Sequence, residues 1–81
     1  MAWSIDKVIQ DNGDGSIKLD FYQGQSTDNL TTDDNVRQII NTDGLDLDKV
    51  TSINLSSCKL ITAETMKIIA QKCIQLETLI V

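Results

Sequence analysis

The 81 residues carry 12 acidic against 7 basic side chains, with no histidine and no proline, for a formal net charge of -5. A chain this short forms one small domain with a thin core, and acidity without a basic cluster argues against nucleic acid or an anionic membrane surface as partner. Without histidine, Ser-His and Cys-His pairs are excluded, and two cysteines fall short of a structural zinc site.

No apolar run approaches a membrane span, and the opening "MAWSIDKVIQDN" has neither a charged n-region nor a continuous apolar h-region. The expected compartment is therefore cytoplasmic, with Cys58 and Cys73 as reduced thiols. The glycosylation-type patterns at Asn29 and Asn54 carry weight only in an exported chain. The many aspartates sit in turn-like stretches, where solvated carboxylates are the ordinary state. No catalytic residue, metal ligand or cofactor is assigned, and the chain reads as a non-enzyme.

Along the chain, Ser4 is an N-cap candidate with Asp6 in the first turn, Trp3 placed to staple against Val8, and Ile5, Val8 and Ile9 on one face. That pattern suits a short helix over about Ser4–Asp11. A hairpin pairing Lys7–Ile9 with Ile17–Leu19 through the Asn-Gly turn suits it too. Between them, "DNGDGS" at Asp11–Ser16 resembles half of an EF-hand calcium loop: Asn12, Asp14 and Gly15 fall on positions three, five and six. The anchoring first and twelfth positions are Gln10 and Phe21, and "SIKLDF" alternates with period two as a strand does. A turn is the favoured reading; a calcium-binding acidic domain using Asp11, Asn12 and Asp14 is the alternative.

The segment from Val50 to Val81 begins with apolar residues at Val50, Ile53, Leu55 and Cys58, then changes to helical spacing at Met66, Ile69, Ala70 and Cys73. Thr62 precedes that run as an N-cap. Leu76, Leu79 and Val81 restart the pattern of Val50, Ile53 and Leu55 at a shift of 26 residues. Upstream, "NLTTDDNVRQII" overlays "KLITAETMKIIA", with Thr32 on Thr62 at a shift of 30, while Ile17 and Leu19 overlay Ile53 and Leu55 at a shift of 36. Inserted residues near "QGQSTD" and "NTDGLDLD" read as loops; an unrelated strand and helix is the other account of residues 17–40.

The order Val50, Ile53, Leu55, Cys58, Ile61, Thr62, Met66, Ile69, Ala70, Cys73, Leu76, Leu79 resembles a leucine-rich repeat of the cysteine-containing, F-box-type subfamily, with Ala63 where the family has aspartate. The resemblance implies an α/β fold: a short leucine-rich-repeat solenoid with parallel strands on one face and helices on the other, closed at its N-terminus by a capping helix or hairpin. Its parts would be a cap over 1–16, an irregular repeat over 17–49, a regular repeat over 50–75 and the start of a third over 76–81. It further implies a non-catalytic protein-protein interaction module, although there is no room for an F-box before Ile17. Position alone assigns the contact surface to Lys18, Asp20, Phe21, Asn54, Ser56, Ser57 and Ile80, with Phe21 as an aromatic anchor or, equally, packed under the inserted loop. Both cysteines are expected inside as small buried hydrophobes. The closing "LETLIV" is an apolar layer with an open strand edge, which suggests a longer protein or cover by another chain, including an identical one.

Overall fold

Of the two arrangements open to the N-terminus, the chain adopts a hairpin, but its first strand is Ile9–Asp11 and not the expected Lys7–Ile9, because Ile5–Lys7 is taken up in a 3-10 turn. In the computed structural model, which describes residues 3–81, Ile5–Lys7 makes one 3-10 turn, followed by β1 (Ile9–Asp11), β2 (Ile17–Asp20), α1 (Asp33–Ile40), a second 3-10 turn (Leu47–Lys49), β3 (Val50–Asn54), α2 (Ala63–Lys72) and β4 (Thr78–Ile80). The first two positions of the expected cap lie outside the described residues. Ser4 makes no side-chain cap, and the expected helix to Asp11 shrinks to the single turn. β1 instead pairs antiparallel with β2, Ile9 opposite Leu19 and Asp11 opposite Ile17.

The sheet order is β1-β2-β3-β4, with β2, β3 and β4 parallel. Side chains alternate between faces, so Ile9, Leu19, Ile53 and Leu79 form one apolar row across all four strands. Leu19 and Ile53 are fully buried in one cluster with Val36, Ile39 and Ile40 of α1 and Ile69 of α2. Both helices begin at a threonine cap. Thr32 and Asn35 form a reciprocal capping box on α1, and the Thr62 hydroxyl accepts the Glu64 N–H on α2. Among the described residues no helix is long and apolar enough to cross a membrane.

The solenoid expectation is overturned. The molecule is a small α/β domain with one four-stranded mixed sheet and two helices; the sheet neither curls nor closes, and β1 runs against its neighbours. The physical reason lies in the unequal connections. Residues 21–32, between β2 and α1, form their own packed loop, with Phe21 fully buried, the Trp3 and Phe21 rings stacked at 6.4 Å and a bridge between Ser26 and Asn29. The corresponding residues 55–62 after β3 make a shorter path with no such loop. A solenoid needs a constant step between units, and these two units do not supply one. Register shows the same difference. The 26-residue shift is met by Ile53 opposite Leu79, whereas Leu19, not Ile17, lies opposite Ile53, and the pairing slips between Ile17 and Lys18.

The two helices are joined at their N-terminal ends by one carboxylate. Asp33, the first residue of α1, accepts the Thr62 N–H at 2.9 Å, the Thr62 hydroxyl at 2.7 Å and the Thr65 hydroxyl. It serves as an anionic cap for the neighbouring helix. These donors, led by the Thr62 hydroxyl, lower its pKa from 3.8 to about 2. Arg37 adds an ion pair with Asp34 and a longer one, 3.9 Å, with Glu64 of α2.

Two measurements test this packing. A β-carbon on Gly24 would lie 2.7 Å from Val8 Cγ2 and 3.1 Å from the Trp3 ring, so Gly24→Ala should cost about 1–3 kcal/mol in urea unfolding through overpacking. Because the folded pKa of Asp33 lies below its unfolded value, its contribution is present above pH 3.8 and is lost as pH falls through about 2. The acid limb of stability between those values should be shallower in Asp33→Asn than in the parent, and parallel curves would refute the cap.

Candidate functional site

Because Leu19 and Ile53 point to the helices, the residues between them point the other way. Lys18 lies opposite Ser52, which lies opposite Thr78; Asp20 lies opposite Asn54, which lies opposite Ile80. Four of the seven expected contact residues, Lys18, Asp20, Asn54 and Ile80, therefore share one sheet face. Exposure rises steadily along their row: Asp20 is buried, Asn54 half-buried and Ile80 exposed. Asp20 is also fully engaged, accepting the Gln23 N–H at 3.2 Å and pairing with Lys18 at 3.4 Å. The free surface is thus at the β4 end.

The other three expected residues go elsewhere. Phe21 is fully buried against Trp3 and is not available as a surface anchor. Its carbonyl accepts the Thr31 hydroxyl, which in turn accepts the Trp3 indole N–H, so the aromatic pair is held by a buried polar chain. Ser56 and Ser57 form the turn after β3. The Ser56 N–H donates to Asn54 Oδ1 at 2.9 Å, and Ser57 holds a left-handed backbone at φ 58. The Ser57 carbonyl accepts the Gln25 side-chain amide, tying this turn to the loop after β2. That loop borders an open polar hollow of about 420 Å³ lined in part by Lys7, Tyr22 and Gln25. Gln25 spends its other end on the Thr31 N–H and braces the loop.

The Asp11–Ser16 stretch is the hairpin connection. Asp11 accepts the Gly13 N–H at 2.8 Å, and Asp14 accepts both the N–H and the hydroxyl of Ser16. Gly13 and Gly15 stand at φ 85 and 92, a region glycine enters without steric cost. The Ser16 hydroxyl leads the causes that lower the Asp14 pKa. The acidic side chains thus fold their own loop, and a strand follows where an EF-hand needs a helix. Cys58 and Cys73 are buried free thiols whose pKa values burial pushes up from 9.0.

Tyr22 and Leu60 are exposed on separate connections, and the other large exposed apolar residues fall between Ile74 and Val81. Leu79 is 41% exposed, Ile80 42%, Val81 79% and Ile74 69%, and the outer edge of β4 pairs with no strand among the described residues. An unpaired edge offers backbone N–H and C=O groups to an incoming strand. Alternation could have identified Ser52 and Thr78, two residues from Asn54 and Ile80. Leu79 was visible only as a core position, because no local signal says that the layer above it is incomplete.

Replacing Ser57 by glycine should raise stability by about 0.5–1 kcal/mol, since relief of the left-handed strain exceeds the added backbone entropy; thermal unfolding measures it, and a loss would show that the serine side chain matters more than its φ. Comparison with known protein families, curated proteins and solved structures finds no match.

Proposed function

We propose that this chain is a non-catalytic protein-interaction module that binds its partner through the open edge of β4. The observation that carries this reading is the coincidence, on one strand, of an unpaired edge with exposed Leu79 and Ile80. An incoming strand gains main-chain hydrogen bonds from the edge and side-chain contacts from the apolar residues. Edges on soluble proteins are ordinarily blunted by charge, proline or a bulge, and Thr78, Leu79 and Ile80 include none of the first two. The resemblance of residues 50–79 to cysteine-containing leucine-rich repeats, a protein-binding family, points the same way. Non-catalytic character is supported by the absence of histidine and by the commitment of Asp11, Asp14, Asp20 and Asp33 to internal hydrogen bonds.

Affinity capture from native cell extract tests the module. Ile80→Lys should reduce partner recovery by about tenfold or more, as expected for a central contact. Ser52→Ala, on the outer face but away from the edge, should leave recovery unchanged. Equal recovery by the parent and Ile80→Lys, or no recovery by either, would overturn the reading.

A further inference from the structure

We propose that the occupant of the β4 edge is a second copy of this chain, paired antiparallel about a two-fold axis that passes beside Leu79 and perpendicular to the sheet. This rests on the edge-binding reading above and names its partner. Three observations carry it.

Parity of the strand comes first. In antiparallel pairing, directly opposite residues point to the same face, so a two-fold at Leu79 places Leu79 against its own copy and Thr78 against Ile80 of the second chain. The apolar row that ends half-exposed at Leu79 would then continue through Leu79, Ile53 and Leu19 of the second copy. One row would cross an eight-stranded sheet, with the helices of both copies on the same side. No charged residue of β4 faces another, and Glu77 lies opposite Val81.

The flank of α2 supplies the second. Thr65 faces α1, where its hydroxyl reaches Asp33, and Ile69 enters the core. By helical spacing, Ala63, Met66 and Ala70 occupy the flank turned away from α1. Met66 is half-buried and Ala63 and Ala70 are exposed, so this flank is uncharged and made of small or flexible apolar side chains. It lies over the same side of the sheet as Leu79, and two such flanks face each other across the axis.

Charge distribution is the third. Ten of the 12 acidic residues precede Lys49, whereas the segment from Lys49 onward holds four lysines against Glu64 and Glu77. β4 itself holds no charged residue, and only Glu64 and Glu77 among the acidic residues follow the start of β3, so carboxylates are sparse in the strand that would pair. The opposite edge is β1, which ends in Asp11 and leads into Asp14. Two copies meeting there would set carboxylate near carboxylate, which is unfavourable. The β4 edge brings copies together without a carboxylate in the paired strand.

Sedimentation equilibrium of the 81-residue chain, up to about 1 mM, should show a concentration-dependent species of twice the single-chain mass. Leu79→Lys and Leu79→Glu, each setting like charge against like at the axis, should each weaken association by about tenfold or more, and their equimolar mixture should restore a 1:1 dimer. Exposed Ile80→Lys should weaken association equally while keeping the circular dichroism of the parent, which guards against loss through misfolding. A parent that stays monomeric throughout, one that forms open-ended assemblies, or a variant mixture that stays monomeric beside a dimeric parent overturns the two-fold pairing. A monomeric parent whose capture of another protein still depends on Ile80 removes the second copy and keeps the edge-binding reading. Loss of both removes both.

Discussion

The apolar row Ile9–Leu19–Ile53–Leu79 is the constraint from which the rest of the molecule follows. It requires all four strands to share one register, and a slip by one residue in any of them would carry its core side chain to the outer face. Both helices lie over the middle of this row. Leu19 and Ile53 are fully buried beneath Val36, Ile39 and Ile69, whereas Leu79 keeps 41% of its surface. Burying a large aliphatic side chain contributes about 1.5–3 kcal/mol, so the two central residues matter far more to stability than the terminal one. The core is strongest at β2 and β3 and thins toward β4, and the exposed edge is the outcome of that gradient.

Much of this was legible in residue pattern. The two helices, their threonine caps, the strands at Val50 and Thr78 and their 26-residue register all follow from periodicity and capping chemistry, which act over a few residues. The errors lie where distant residues decide. The pairing of Leu19 with Ile53 depends on a slip at Ile17 that no local pattern announces. Phe21 sits beside the strand in a place that suits a surface anchor, yet Trp3, far upstream, stacks on it, and Thr31 ties the pair down. The solenoid expectation failed for a related reason: recurrence of apolar positions was read as recurrence of shape, while the long loop after β2 gave the first unit a different geometry from the second. The Asp33 carboxylate likewise serves the other helix, 29 residues away in sequence, which no local pattern announces.

The outer face illustrates how position and availability differ. Lys18, Asp20, Asn54 and Ile80 do share it, as alternation requires, yet they are not equivalent. Near β2 the polar groups satisfy one another: Lys18 with Asp20, Asp20 with the Gln23 N–H, Asn54 with the Ser56 N–H. A partner approaching there would have to replace bonds already made, each exchange yielding little net free energy. Near β4 the exposed groups are the Thr78 side chain, the apolar Ile80 and edge backbone atoms without strand partners among the described residues, so contact there replaces fewer internal bonds. The same face therefore changes character across three strands, from internally satisfied to open.

That open edge is coupled to stability. α2 contributes only Thr65 and Ile69 as buried residues, against Val36, Ile39 and Ile40 from the shorter α1. The β4–α2 side is thus the weakly packed part of a domain whose size already limits its net stability. Any ligand that binds the folded edge and not the unfolded chain shifts the folding equilibrium in proportion to its occupancy. Covering Leu79, Ile80 and Ile74 removes apolar surface from water where the domain has least of it buried. The proposed binding would therefore draw on the same apolar layer as folding: an edge more polar than this one would leave a partner little to bury, and one fully buried within the domain would leave none.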